Sequence, residues 1–377
     1  MMLGYLLARR GLNVTVLEKH ADFLRDFRGD TIHPSTITVL GELGLRDAFL
    51  AMGLPRLDGM SVVIDGERLS LVDFTTLPEP DNFLVFAPQW DFLNFLAREG
   101  AKLPGFDLRM NTTATGLVFD GDTVVGVTAT NGLTVRAPLT VAADGRGSLL
   151  RAAAGFIPHE LGVPIDVLWF RLPKPDNAPP PTLGYVGDHG MVLTIERGDY
   201  YQSGMVIPKG TFADVQAAGL PAFRDALTST APVLATVVES LQNWDQVKLL
   251  SVQLDRLPRW WRNGFMCIGD AAHAMSPVGG VGVNYAIQDA VALANALPDG
   301  VVPSSVLAAV QARRERPVIR MQRIQRVAHE RLKRPVNGGK RAVPRPARAL
   351  LRLSQPLVRR VLARVVGLGF LPEHVDG

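Results

Sequence analysis

Apolar positions along this chain recur with two different periods, and each switch of period marks an element. Leu3, Leu6 and Leu7 fall at helical spacing, so residues 1–10 read as a helix that Gly11 stops. Asn13-Val14-Thr15-Val16-Leu17 then reads as a buried strand ending at Glu18. A helix feeding a buried strand is the second half of a β-α-β unit, whose first strand and first turn are not in the sequence. Residues 35–50 read as a helix, with Ser35 placed to cap it and Gly44 near its end. Residues 59–87 alternate in short stretches with turns at Asp65-Gly66 and 78–81, which predicts strands. Pro88 opens a helix over 88–102. Asp120-Gly121-Asp122 and Asn131-Gly132 mark hairpin turns, and 139–143 is a buried strand that delivers Asp144-Gly145. Residues 155–257 are rich in strand formers between Pro and Gly turns, interrupted by a helix around 211–227, and predict an antiparallel sheet unlike the α/β part. Phe265-Met266-Cys267-Ile268 is another short buried strand, followed by a helix from near Gly282 to about Ala296. Residues 304–330 and 346–366 are helical in pattern, joined by a Pro-, Gly- and Arg-rich connection at 335–346. No internal repeat is seen.

Composition narrows the class. At 377 residues, with 47% hydrophobic and 20% charged positions, the chain has material for two or three domains and is not a disordered polymer. Its single cysteine, Cys267, cannot form an intrachain disulfide or a cysteine-built zinc site, so a reducing, cytoplasmic setting is expected. No run approaches the ~20 apolar residues of a membrane span. Arg9 and Arg10 follow the N-terminal apolar stretch instead of preceding it, so no export signal is read. The net charge of +4 hides an asymmetry, because residues 311–377 hold 17 Lys+Arg against 4 Asp+Glu. Such a tail reads first as a solvated or packed helix face. In it Leu350, Leu351, Leu353, Leu357, Val358, Val361, Leu362 and Val365 lie amid arginines, so packing on the body is favoured over contact with a membrane surface. Nucleic acid is not an expected partner.

Three segments carry candidate chemistry. Glu18 ends a strand where dinucleotide-binding folds place an acid for ribose hydroxyls, a weak signal by itself. Asp144-Gly145-Arg146-Gly147-Ser148 joins a buried strand to a helix: the glycines would let backbone approach a phosphate, or Asp144 simply satisfies backbone donors of the corner. The most specific run is residues 264–284. There Gly269-Asp270 ends a strand, Pro277 stiffens a turn, and Gly279, Gly280 and Gly282 open a helix whose free N–H groups favour an electron-rich ligand edge. His273, within it, is read as a structural hydrogen-bonder ahead of an acid or base. No Ser-His-Asp triad or metal-ligand cluster is found, and no catalytic residue is assigned.

Together the Asp-Gly and Gly-Asp motifs, with the N-terminal helix, strand and Glu18, resemble the para-hydroxybenzoate hydroxylase family of FAD-dependent aromatic monooxygenases over about residues 1–330. The resemblance implies a mixed α/β chain. A Rossmann-like, three-layer FAD-binding domain would comprise 1–58, 88–154 and 258–330, a substrate-binding antiparallel sheet 59–87 and 155–257, and a basic helical tail 331–377. By the resemblance, Glu18 holds the adenosine ribose, Arg28 lies near the FAD phosphates and Gln89 near the flavin chain. Asp144 serves FAD and NAD(P)H handling, and Asp270 the ribityl or pyrophosphate region. Pro277, Gly279, Gly280, Gly282, Val283 and Asn284 line the isoalloxazine ring. The implied reaction uses NADH or NADPH to reduce FAD and O2 to hydroxylate an apolar or aromatic molecule through a flavin C4a-hydroperoxide. That substrate would lie between the ring and a sheet bearing Trp169, Phe170, Arg171, Tyr185, Met191, Tyr200, Tyr201 and Met205, of which alternate residues face the ring.

Two departures accompany the resemblance. Val281 stands where many members have Gln. More seriously, the Gly-x-Gly-x-x-Gly turn is missing, which predicts weak FAD binding. The favoured explanation is a true start some ~15–25 residues upstream; the other is a member that has lost its hold on flavin. A non-catalytic binding protein and a flavin reductase that inserts no oxygen are the rival functions. A monomer or homodimer is expected.

Overall fold

The computed structural model describes residues 1–24, 31–64, 66–176, 178, 184–187, 189–332 and 356–376. Arg28 and the 335–346 connection lie outside them.

The opening helix is Met2–Arg9 and the strand after it Val14–Leu17. Gly4 lets the helix lie flat on that strand, since a Cβ there would sit 2.6 Å from Val16 Cγ2. Val14–Leu17 pairs in parallel with Phe106–Arg109, and Thr140–Ala142 pairs in parallel with Phe265–Cys267. Among the described residues these two parallel pairs are separate sheets. Met2–Arg9 packs on the helices Gln89–Gly100 and Gly282–Ala296. Leu6, Phe92, Phe95, Ile287 and Leu293 share the resulting core, each fully buried apolar side chain contributing roughly 1.5–3 kcal/mol. The third layer is the meander Ala114–Asp120, Thr123–Ala129 and Thr134–Arg136, turning at the two predicted hairpin sites.

Two expected helices are each broken in two. Residues 35–50 form Pro34–Glu42 and Arg46–Leu50. Gly44, with φ +72°, lies between them, in the left-handed conformation that ends a helix. His33, not Ser35, occupies the cap position, because Pro34 already supplies a preset first turn. The helix around 211–227 is Phe212–Ala217 and Leu220–Thr230, parted at Gly219 with φ +91°.

The second body is a seven-stranded sheet in the order Lys248–Leu250, Ile165–Pro173, Tyr200–Pro208, Gly190–Arg197, Gly184–Gly187, Gly59–Ile64, Glu67–Asp73. It is not wholly antiparallel as expected: Gly184–Gly187 and Gly59–Ile64 run parallel. These strands come from distant segments, so no hairpin dictates their direction. Its two faces divide the predicted residues. Phe170, Tyr185, Tyr201 and Met205 lie on one face with Phe223 and Leu227 of Leu220–Thr230. Trp169 packs on the other face with Phe74, Phe86 and Ala363 of the C-terminal segment.

The long helix Ser304–Leu332 follows Gly282–Ala296, and 356–363 continues into one π turn, Arg364–Leu368. Among the described residues no helix is long and apolar enough to cross a membrane.

Candidate active site

The two motif strands deliver their aspartates side by side. Ala142 is the parallel partner of Cys267, so Asp144 and Asp270 leave the same end of the same sheet. Arg146, two residues after Asp144, reaches the other strand tip: its Nε donates to Asp270 Oδ2 at 3.0 Å and its Nη2 to the Met275 carbonyl at 3.0 Å. Arg151 reinforces the corner, donating to the carbonyls of Arg146 at 2.6 Å and Ala271 at 3.2 Å. Asp144 is exposed and accepts the Leu150 N–H at 3.3 Å, while Ser148 Oγ accepts that of Arg151 at 3.0 Å and caps the helix Leu149–Ala153. Asp144 thus performs the corner-stabilising role weighed for it, and its exposure leaves it able to meet a ligand. The Asp270 side chain is 35% exposed.

Beyond Asp270 the backbone is bare. A Cβ would meet nothing within 4 Å at Gly145 or Gly147, only Val281 Cγ1 at 3.6 Å at Gly279, and only Met275 Cβ at 3.9 Å at Gly282. Val281, the N-cap residue of Gly282–Ala296, makes no side-chain cap bond, so the first-turn N–H groups await an acceptor. A carboxylate at a strand tip, then a side-chain-free strip, then an uncapped helix start suits the sugar chain and flat ring of FAD. Gly280 behaves differently: it is packed inward, and a Cβ there would lie 2.4 Å from Thr31 Oγ1.

That inward packing belongs to a clamp the sequence reading missed. Asn284 is buried, and its Oδ1 accepts the His33 N–H at 3.0 Å and the Thr36 hydroxyl at 2.7 Å. Its Nδ2 donates to the Thr31 carbonyl at 3.3 Å. The Asn284 side chain therefore ties the 31–36 segment to the glycine turn. His33 lies beneath, with Nδ1 2.7 Å from the Val366 carbonyl and Nε2 3.1 Å from Thr31 Oγ1. A carbonyl only accepts, so Nδ1 carries the proton. Burial pushes His33 down to about 4, leaving the ring neutral at pH 7.

The remaining sites are more dispersed. Glu18 ends the other parallel pair, where its Oε1 accepts the His20 N–H at 2.9 Å. Gln89 begins the helix Gln89–Gly100 behind Pro88, half-buried. Arg28 is outside the described residues. His273 is 1% exposed, stacks on Trp260 at 4.8 Å and pairs through Nε2 with Asp289 at 2.5 Å, as a structural hydrogen-bonder does. Burial alone would raise Asp289, but His273 and Arg314 more than offset it and hold the carboxyl below its ordinary range. Burial pushes the Cys267 thiol up to about 12, so it is no nucleophile.

The two parallel pairs, the glycine turn and the helix start make a site that would accept a flavin nucleotide. The chain belongs to the family described as FAD binding domain, whose pattern matches residues 1–319. It is 32% identical over 373 residues to 6-methylpretetramide 4-monooxygenase of Streptomyces rimosus, covering 96% of this chain and 88% of that one. It is 25% identical over 343 residues to 6-hydroxynicotinate 3-monooxygenase of Bordetella bronchiseptica, covering 86% of each. Among solved structures, the OxyS anhydrotetracycline hydroxylase of Streptomyces rimosus superposes with a TM-score of 0.75 at 23% identity, covering 97% of this chain and 73% of that one. The chain is an FAD-dependent monooxygenase of the para-hydroxybenzoate hydroxylase type, using NAD(P)H as cosubstrate. Neither rival reading, binding protein or oxygen-free reductase, gains support from these relatives.

Proposed function

We propose that this chain hydroxylates an aromatic small molecule held between the 277–282 strip and the Trp169 face of the seven-stranded sheet. The observation that carries this reading is the open strip itself, which follows Asp270 and where a Cβ at Gly279 would meet only Val281 Cγ1, at 3.6 Å. Bound FAD supplies hydride acceptance from NADH or NADPH and oxygen-atom transfer from O2. The protein binds, orients and shields. Asp270 holds the ribityl hydroxyls, the N–H groups after Val281 meet the polar edge of the ring, and Asp144 stands at the exposed corner shared with the nucleotide. Glu18 serves the adenosine ribose, Gln89 the flavin chain, and Arg28 the phosphates. The apolar face around Trp169, Phe74 and Phe86 excludes water and suits an aromatic substrate. The relatives named for aromatic substrates, 6-hydroxynicotinate among them, support that class. The lone buried cysteine supports a cytoplasmic setting.

The test is a screen of phenolic and heteroaromatic compounds against the FAD-loaded protein, following NADH and NADPH oxidation and product mass. The expected result is oxidation stimulated at least about tenfold by one chemical class, with one oxygen atom added to it. Stimulated oxidation with no oxygenated product from any compound would contradict the reading.

A further inference from the structure

The long helix Ser304–Leu332 turns a polar stripe inward. Gln311, Arg314, Gln322, Gln325 and His329 recur at helical spacing and are each no more than 9% exposed. A stripe at this period is ordinarily apolar when it faces a core. Buried polar side chains are costly unless bonded, and each of these is bonded, Arg314 to Asp289 and Glu373 and the others to residues between Asp255 and Val278. Gln311 holds Trp260 and Pro258, and Gln322 donates to the carbonyls of Asp255 and Ala274 at 2.8 and 3.1 Å.

The last two members of the stripe reach the turn before Gly279. Gln325 Oε1 accepts the Ser276 N–H at 3.2 Å, and its Nε2 donates to the carbonyls of Ser276 and Val278, each at 3.0 Å. His329 Nε2 lies 2.6 Å from Ser276 Oγ, which in turn accepts the Val278 N–H at 3.2 Å. Ser276 Oγ has a second lone pair and its own proton, so it bonds His329 Nε2 in either tautomer of the ring. Burial pushes His329 down to about 4, so at pH 7 the ring is neutral. Thr31 and Asn284 hold the other end of the same turn at Gly280.

We propose that Gln325 and His329 are positioning residues for the flavin ring, acting through Ser276 and Val278 to fix the height and tilt of the 277–280 turn against it. The inference rests on the assignment of that turn to the isoalloxazine ring. Neither side chain touches the cofactor. The bonds are neutral and buried, so losing one is felt by the turn it holds and leaves the sheet and core intact. Ser276–His329 is not a hydrolytic pair: Ser276 and His329 are 2% and 0% exposed, and no acid bonds His329 Nδ1 among the described residues.

The experiment compares wild type, His329→Leu, His329→Gln, Gln325→Leu and Ser276→Ala for FAD affinity by fluorescence titration, bound-flavin spectrum and reduction potential, with the apoprotein melt as control. His329→Leu, Gln325→Leu and Ser276→Ala should each weaken FAD binding about tenfold. Each should also displace the bound flavin's potential and visible bands. His329→Gln, whose amide can still donate to or accept from Ser276 Oγ, should restore most of both. Ser276→Ala adds no bulk, so it decides the matter if either leucine variant fails to fold. A potential and spectrum equal to wild type in Ser276→Ala, with affinity within twofold, would overturn the inference alone. A wild type that takes up no FAD would overturn the ring assignment and this inference with it.

Discussion

At the residue scale, two histidines set the response to acid. His33 and His329 are both held near 4 by burial, against an ordinary value of 6.5. Above pH 6.5 both are neutral folded or unfolded and contribute no pH dependence. From pH 6.5 down to 4 the unfolded chain takes up protons that the folded chain refuses, so stability falls as pH falls. For fully enclosed His33 the loss reaches about 2 kcal/mol by pH 5. Urea unfolding at pH 7.5 and pH 5 should show it, and His33→Asn should shrink it. A midpoint that does not move would contradict the assignment of both rings as neutral. Neither histidine was legible in the sequence: His33 lies in Thr31-Ile32-His33-Pro34 with no motif to mark it, and His329 looks like one more polar residue of a basic helix. Asp144 and Asp270 were legible, because each ends an apolar run at a glycine. The bond from Arg146 to Asp270 was not, since the two lie 124 positions apart.

At the element scale, the helices and strands read from periodicity are present where the structure describes them, 346–355 of the last expected helix lying outside those residues. A period shows that a helix exists but not where a glycine in the left-handed region will cut it, as at Gly44 and Gly219. Period also misjudges a face whose polar residues point inward. The stripe of Ser304–Leu332 reads as solvated, yet Arg314 is 1% exposed, donates to Asp289 at 3.1 Å and pairs with Glu373 at 3.3 Å. Glu373 also pairs with Arg313 at 2.7 Å, so the C-terminal segment is fastened to this helix by buried charge. Removing one member of a buried pair strands the other, which costs about 3 kcal/mol or more. Arg314 keeps Asp289 when Glu373 is removed, so Glu373→Ala should lower unfolding free energy by about 1.5–3 kcal/mol in denaturant titrations. A change below ~0.5 kcal/mol would show the pair to be a surface-like contact.

At the scale of the whole molecule, a nucleotide-binding body and a strand-rich body meet across a face that carries Trp169 and the C-terminal Ala363. The sequence shows the two-body plan because its patterning changes character between 155 and 257. It does not show the direction of one strand pair, nor that the segment around Val366 reaches back beneath His33, because both depend on contacts between distant residues. Gly367 seals that return, since a Cβ there would lie 2.9 Å from Leu77 Cδ1. Leu357, Val358 and Val361 stay exposed while Ala363 is buried, so the expected packing holds for the inner part of the tail.

The central claim is that the Asp270 strand tip and the bare strip after it hold FAD. It is tested most directly by titrating the apoprotein with FAD and following flavin absorbance near ~450 nm, for wild type and Asp270→Ala side by side. The account predicts saturable binding of one FAD per chain. In Asp270→Ala it predicts affinity lowered about tenfold or more with a melt lowered only slightly, since the half-buried Arg146 keeps its bond to the Met275 carbonyl. Equal affinity in the two proteins, or no uptake by wild type, would contradict it.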